Sequence, residues 1–377
     1  MRYLVSGGGT GGHVYPALAV ARALRDAQPA LELAYVGGVR GLERRIVAGA
    51  GDLPYHELMV RSLRSGGVNV HLVLDPLRLG ASVPQAYALL GRLRPQAIFT
   101  SGGYLGIPLV MAARARRIPS LVWEGNVVPG RATAAVGRLA DRVAVSFEPT
   151  LAAFPGRSFV SGTPIRSFAG VDRVAARRSF GVGDDDRLLL VFGGSQAVAR
   201  ITAALDGALA ELVAGWHVLH ICGDDGLAAA ESARQALPEP MRARYQPVPF
   251  LSDRMADALV AADLVLGRAG SSTCAEVAAV GVAAILVPYP YAGEHQRANA
   301  AYLADRGAAV LVPDAELDAR RLVTEVGRLR DDAVRGAIAS TARGLGRPDA
   351  AARIAADLLA MGEGRPLPSM AGEDAAP

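Results

Sequence analysis

Lysine is absent: all 40 basic residues among the 377 are arginine. That excludes Schiff-base chemistry on lysine and a Walker A nucleotide loop, whose lysine reaches the phosphates. Cysteine is scarce too. Cys222 and Cys274 stand far apart in apolar contexts, which reads as two buried thiols in a reducing compartment rather than a disulfide framework or a zinc site. Aromatic residues make up 5% and the net charge is only +4, without the dense basic stripe and aromatic platforms of a nucleic-acid binder. Asp184-Asp185-Asp186, after Gly183, reads as a polar turn, so no Asp-x-Asp metal motif stands in a suitable loop. Long apolar runs are missing as well. Residues 277–293 are broken by Gly281, Pro288 and Pro290 and read as helix, turn and buried strand, not as a membrane span. Arg2 is followed by only Tyr3, Leu4 and Val5 before the glycines begin, too little for a signal peptide.

What is present is a chain 51% apolar and long enough for two domains. Short apolar runs alternate with amphipathic segments, the pattern of a parallel α/β sheet. Strands are predicted at 3–6, 33–37, 97–100, 120–123, 142–146 and 159–161, and again at 188–192, 218–222, 264–267, 284–287 and 309–312. Two successive runs of this kind imply two Rossmann-like, doubly wound parallel-sheet domains facing a cleft, with ligands beyond the carboxyl ends of the strands. The expected division is 1–165 for the first domain and 166–345 for the second. Residues 346–361 are expected to form a helix packing back toward the first domain, and 362–377 a disordered tail.

Four glycine-rich loops follow strands. Gly7, Gly9 and Gly12 satisfy G-x-G-x-x-G before a helix expected at 14–27. A nicotinamide dinucleotide would need an acidic residue at the end of the second strand, but that strand runs Val36-Gly37-Gly38 with Arg40 beyond, so a dehydrogenase is disfavoured. Gly193-Gly194-Ser195-Gln196 suits a phosphate, or is a plain strand–helix turn capped by Ser195. Arg268-Ala269-Gly270-Ser271-Ser272-Thr273 offers a helix N-terminus, hydroxyls and an arginine to a diphosphate; Glu276, read as lying in the first turn, caps that helix or takes ribose hydroxyls. Thr100-Ser101-Gly102-Gly103-Tyr104 is the fourth loop.

Taken together, these residues resemble the MurG family, bacterial UDP-N-acetylglucosamine:lipid I N-acetylglucosaminyltransferases of the GT-B fold. The likeness runs to about residue 350. It is carried by Gly7-Gly8-Gly9-Thr10-Gly11-Gly12-His13-Val14-Tyr15-Pro16, Ser101-Gly102-Gly103-Tyr104, Gly162-Thr163-Pro164-Ile165-Arg166, Gly193-Gly194-Ser195-Gln196, the stretch 268–281 and Glu294-His295-Gln296-Arg297-Ala298-Asn299-Ala300. The resemblance implies that Ser195 and Arg166 lie near the donor phosphates, Glu276 on the ribose and Gln296 on the sugar hydroxyls. Phe250 and Leu251 would border the uracil with Met255 beneath, and Thr10, Gly11, Asn126, Ser271 and Asn299 would complete the donor site. Gly9, Gly12, Gly103 and Tyr104 would face the acceptor, with His13 and Glu124 as catalytic residues. Five positions depart from the family pattern: Trp123 and Gly125 in Trp123-Glu124-Gly125-Asn126, where the family has His-Glu-Gln-Asn, Ala197 in place of glycine, and Ala199 and Thr202 at the following basic and amide positions.

The reaction implied is direct displacement of UDP by an acceptor hydroxyl, with inversion, needing a base and a stabilised leaving group. His13 is the candidate base, or its ring only hydrogen-bonds the acceptor or a loop carbonyl; Glu124 is the alternative base or the group that orients one. Helix N-termini, Ser195 and arginines would stabilise the diphosphate, so neither cofactor nor metal is expected. A lipid acceptor calls for a peripheral site on the cytoplasmic face of the plasma membrane. Arg61, Arg64, Leu72, Leu74, Arg78 and Leu79 form a candidate apolar patch rimmed by arginine for an anionic surface, or a buried element with solvated ends. The alternatives are a related glycosyltransferase acting on another lipid or natural-product acceptor, a UDP-sugar epimerase, and a non-catalytic nucleotide-sugar-binding subunit.

Overall fold

The structure, a computed structural model, describes residues 1–39, 42–51, 53–60, 71–193, 199–290 and 294–369, with the backbone alone at 42 and 71–79. The chain divides into two compact units, Met1–Ile165 together with the chain from Arg347 on, and Arg166–Gly346.

The first unit is built on β1 (Arg2–Ser6), β2 (Glu32–Gly38), β3 (Tyr55–Leu58), β4 (Ala97–Thr100), β5 (Ser120–Glu124), β6 (Arg142–Val145) and β7 (Ser158–Val160). All pairings are parallel, in the order β3-β2-β1-β4-β5-β6-β7. Successive side chains alternate between faces. Tyr3, Val5, Tyr35, Phe99, Leu121 and Trp123 share a core with the helix Gly11–Ala27. Leu4, Val36 and Ile98 go to the other face, under the helices His71–Leu93 and Gly106–Arg116. Burial on both faces is why the central strands read as continuous apolar runs.

The second unit repeats the plan with β8 (Leu188–Phe192), β9 (His217–Ile221), β10 (Tyr245–Val248), β11 (Leu264–Gly267), β12 (Ala283–Leu286) and β13 (Val310–Leu311). Its order is β10-β9-β8-β11-β12-β13, again parallel throughout. In each sheet the order reverses beside the first strand, which places the β1 and β4 ends of one unit, and the β8 and β11 ends of the other, at a switch point.

β3 and β10 escape the sequence reading because neither of these edge strands carries an apolar run. Tyr55-His56-Glu57-Leu58 is only partly buried and lacks an apolar run. Tyr245-Gln246-Pro247-Val248 contains a proline, tolerated because Pro247 faces His220 on one side and no second strand needs its missing N–H.

The C-terminal helix Ala350–Glu363 belongs to the first unit's core, through Ile354, Ala355, Leu358 and Leu359, and Tyr3 Oη donates to Leu359 O at 3.4 Å. The expected disordered tail therefore starts too early. The helix runs past 362, Arg365 N donates to Ala360 O at 2.8 Å, and Ser369 N donates to the fully buried Asp357 at 3.0 Å. Residues 370–377 lie outside the described residues.

Candidate active site

The glycine loop after β1 is compressed by the protein itself. A Cβ on Gly7 would overlap His13 O and Ser101 Oγ, and one on Gly8 would overlap Leu105 and come within 2.9 Å of Glu43 Oε1. Gly9 has φ +89°, and a Cβ there would meet the Tyr104 ring at 2.9 Å. These three glycines are thus required by close packing and by a left-handed backbone. Gly12, by contrast, is exposed, with nothing nearer than 3.6 Å to its missing Cβ. The following helix begins at Gly11, not at 14, with Thr10 as an extended N-cap. Gly11, Gly12 and His13 therefore form its first turn.

Ser101, at the end of β4, clamps His13 twice. His13 Nδ1 lies 2.7 Å from Ser101 O, and Ser101 Oγ donates to His13 O at 2.7 Å. A carbonyl only accepts, so Nδ1 carries the proton and Nε2 is left as the basic nitrogen of the neutral ring. The ring lies against Gly103 (φ +72°), where an added Cβ would stand 3.7 Å from Nε2.

Tyr104, next along this loop, donates Oη to Glu43 Oε1 at 3.3 Å. Glu43 is fully buried and also accepts from Gly38 N at 3.0 Å and Gly9 N at 3.4 Å. The sequence reading missed it. Glu43 sits in no motif, and only its place in the first turn of the helix Leu42–Gly49 singles it out.

Glu124 ends β5 and is 3% exposed. Its Oε1 accepts from Asn126 N and Nδ2, both at 2.9 Å, and its Oε2 accepts from Gly130 N at 2.9 Å. Glu124 thereby shapes the 125–130 loop and holds Asn126. Trp123 points the other way. It is 1% exposed, within the core, and its Nε1 donates to Ser146 Oγ at 3.1 Å and Gly162 O at 3.2 Å.

In the second unit, the helix Ser271–Val280 opens after β11 with Gly270 as an extended N-cap. Glu276 therefore lies in the second turn, not the first. It is 6% exposed and accepts from Arg166 Nε at 2.7 Å. Burial pushes its carboxyl above the ordinary value, against the opposing pull of Arg166. The two residues expected on ribose and phosphate are thus paired with each other. Gln296 Oε1 accepts from Tyr289 N at 2.9 Å. Phe250 is 60% exposed, while Leu251 and Met255 beside it are buried.

Two donor-site expectations need correction. Asn299 is fully buried and its Nδ2 donates to Ala269 O at 3.2 Å, so it supports the 268–271 loop from behind. Arg268 is 6% exposed, its Nη1 donating to Val287 O at 3.2 Å and to Asp314 Oδ1 at 2.5 Å, so its charge is held inside the unit rather than offered to a diphosphate. Ser195 and Ala197 lie outside the described residues, as do Arg61 and Arg64. Leu72, Leu74, Arg78 and Leu79 fall on the helix His71–Leu93, with side chains outside the description. Among the described residues no helix is long and apolar enough to cross a membrane, and no three His, Cys, Asp or Glu gather where they could hold a metal ion.

Residues 3–145 match the glycosyltransferase family 28 N-terminal domain, and residues 188–354 its C-terminal domain. The chain belongs to glycosyltransferase family 28. Within that family it is similar to the UDP-N-acetylglucosamine–N-acetylmuramyl-(pentapeptide) pyrophosphoryl-undecaprenol N-acetylglucosamine transferase of a Nocardioides species, 40% identical over 372 residues, covering 97% of this chain and 99% of that one. The enzyme of the same name from Desulforudis audaxviator is 37% identical over 359 residues, covering 93% and 95%. The crystal structure of Acinetobacter baumannii MurG superposes with a TM-score of 0.76 at 29% identity, over 95% of this chain and 99% of that one. The chain is thus a member of the MurG group, with its GT-B architecture of two parallel-sheet Rossmann-like domains. A UDP-GlcNAc 2-epimerase from Neisseria meningitidis, bound to UDP-GlcNAc, aligns with a TM-score of 0.68 at 10% identity, covering 95% and 100%; that likeness extends to the fold alone.

Proposed function

We propose that the chain transfers N-acetylglucosamine from UDP-N-acetylglucosamine to the undecaprenyl-pyrophosphoryl-N-acetylmuramoyl-pentapeptide lipid, with inversion and without a metal, in peptidoglycan synthesis. The names of its relatives support this donor and acceptor. The observation that carries the chemistry is the His13–Ser101 hydrogen bond, which leaves Nε2 as the ring's basic nitrogen beside Gly103.

His13 Nε2 takes the proton of the acceptor hydroxyl as that oxygen attacks the anomeric carbon. The bond from this carbon to the diphosphate breaks on the opposite face, and UDP leaves. Glu124 holds the 125–130 loop in place. The N–H groups opening the helix Ser271–Val280 meet the negative charge that grows on the diphosphate. When ribose hydroxyls take up Glu276, Arg166 is released toward the phosphates. The reaction belongs at the cytoplasmic face of the plasma membrane, with the patch of Leu72, Leu74 and Leu79 as the peripheral contact. The variant acceptor that Trp123 would permit loses support, because its indole is buried in the core.

A turnover assay with lipid I and a panel of UDP-sugars tests the reading. UDP release only with UDP-N-acetylglucosamine and lipid I is the expected result. Donor binding without UDP release on any lipid acceptor would overturn it in favour of a binding subunit.

A further inference from the structure

Glu43 ties three strand ends to one buried carboxylate. Gly9 follows β1, Gly38 ends β2 and Tyr104 follows β4, and each donates to it. Among the described residues the carboxylate forms no ion pair, so these donors alone compensate its burial. The backbone is fitted to it: a Cβ would come within 2.9 Å of Glu43 Oε1 at Gly8 and 3.0 Å at Gly38. Burial first, and then the Glu43 charge, push the phenols of Tyr35, Tyr55 and Tyr104 well above the usual tyrosine range. Tyr104 nevertheless stays partly exposed, under the exposed Gly9.

A phenol has one proton to donate. With that proton committed to Glu43, the Tyr104 oxygen keeps only lone pairs for any further partner, and the neighbouring charge strengthens them as acceptors. We propose that Glu43 is a positioning residue that fixes the Gly9 and Tyr104 loops and makes Tyr104 a hydrogen-bond acceptor, selecting an N–H or O–H donor at that point of the acceptor substrate. This rests on the functional reading above, in which Tyr104 faces the acceptor. A chemically similar substrate with a carbonyl or ether oxygen at that point would meet two acceptors face to face and bind poorly.

The test uses Glu43→Gln, Tyr104→Phe and the double variant, in steady-state kinetics with lipid I and UDP-N-acetylglucosamine. Glutamine brings its own N–H donors and cannot accept all three bonds. Phenylalanine keeps the ring, so it reads the hydroxyl even if Glu43→Gln folds poorly. Each single change should raise the lipid KM about tenfold, leave the UDP-N-acetylglucosamine KM and kcat within about twofold, and show no further loss in the double variant. An unchanged lipid KM in a folded variant, additive losses, or a parallel loss in both KM values and kcat would overturn the proposal. Amide hydrogen exchange of the substrate-free protein separates it from the functional reading. Glu43→Gln should speed exchange about tenfold or more at Gly9 and Gly38 while leaving the strand β5 unchanged. Unchanged exchange overturns the positioning role whatever the substrate. Altered exchange without wild-type turnover on lipid I overturns the acceptor assignment and keeps the role.

Discussion

Arg166 and Glu276 stand 110 residues apart in sequence and form a single ion pair, Arg166 Nε to Glu276 Oε1 at 2.7 Å. The partners are unequal: the Arg166 side chain is a third exposed, whereas that of Glu276 is 8% exposed. Burial outweighs the arginine, so the folded carboxyl titrates above its ordinary value. The contribution of this group to stability is accordingly present at low pH and lost as pH rises through that raised value.

Glu276→Gln should therefore melt no lower than the wild type at pH 7, while its affinity for UDP-N-acetylglucosamine falls about tenfold through a weakened ribose contact. Calorimetric titration and thermal melts measure the two together. Undiminished donor affinity would remove Glu276 from the ribose.

His13→Ala should reduce turnover by roughly 10²–10⁴ and leave UDP-N-acetylglucosamine binding unchanged, the signature of a lost general base. Loss of donor affinity in step with turnover would instead make His13 a binding residue.

Much of this arrangement is legible in the sequence because it rests on runs and spacings. The central strands announce themselves by burial on both faces, and the glycine loops by their positions after strands. The edge strands β3 and β10 do not, since half-burial leaves no apolar run. Glu43 is invisible for a different reason. Its role comes from three backbone and hydroxyl donors brought together by topology, and no local spacing encodes that. Arg268 and Asn299 mislead because residue type cannot say which way a side chain points. Here Asp314 and Ala269 O take those polar groups inward.

His220 on β9 is fully buried, 2.8 Å from Tyr245 Oη, and among the described residues its Nε2 has no hydrogen-bond partner. Burial lowers its pKa to about 4. Its folded value lies below its unfolded one, so the neutral ring's contribution is complete above about pH 6.5 and is lost on acidification through about pH 4, a change of about 3 kcal/mol. Urea unfolding at several pH values should show this slope in the wild type and a shallower one in His220→Gln. Parallel slopes would rule the group out.

Trp123→His brings the 123 position back to the family pattern, yet the side chain there faces the core. The substitution should cost about 3 kcal/mol of stability through lost packing, with no gain in turnover. Denaturant unfolding and a turnover assay check both halves; raised kcat would mean that position 123 reaches the substrate.

Replacing Leu72, Leu74 and Leu79 together with Ser should weaken binding to anionic vesicles and spare UDP-N-acetylglucosamine binding. Vesicle co-sedimentation of a folded variant at wild-type levels would reject the patch.

The helix Ala350–Glu363 completes a core whose first strand begins at Arg2. A ribosome makes these parts at opposite ends of its task. The second unit, Arg166–Gly346, is contiguous and has all its strands before the last helix is synthesised. The first unit, although made first, must wait with the floor under Tyr3 and Val5 uncovered until Ile354 and Leu358 emerge. Domain maturation thus runs against the direction of translation. A stop codon near residue 347 would leave the second unit able to form and the first without its closing helix.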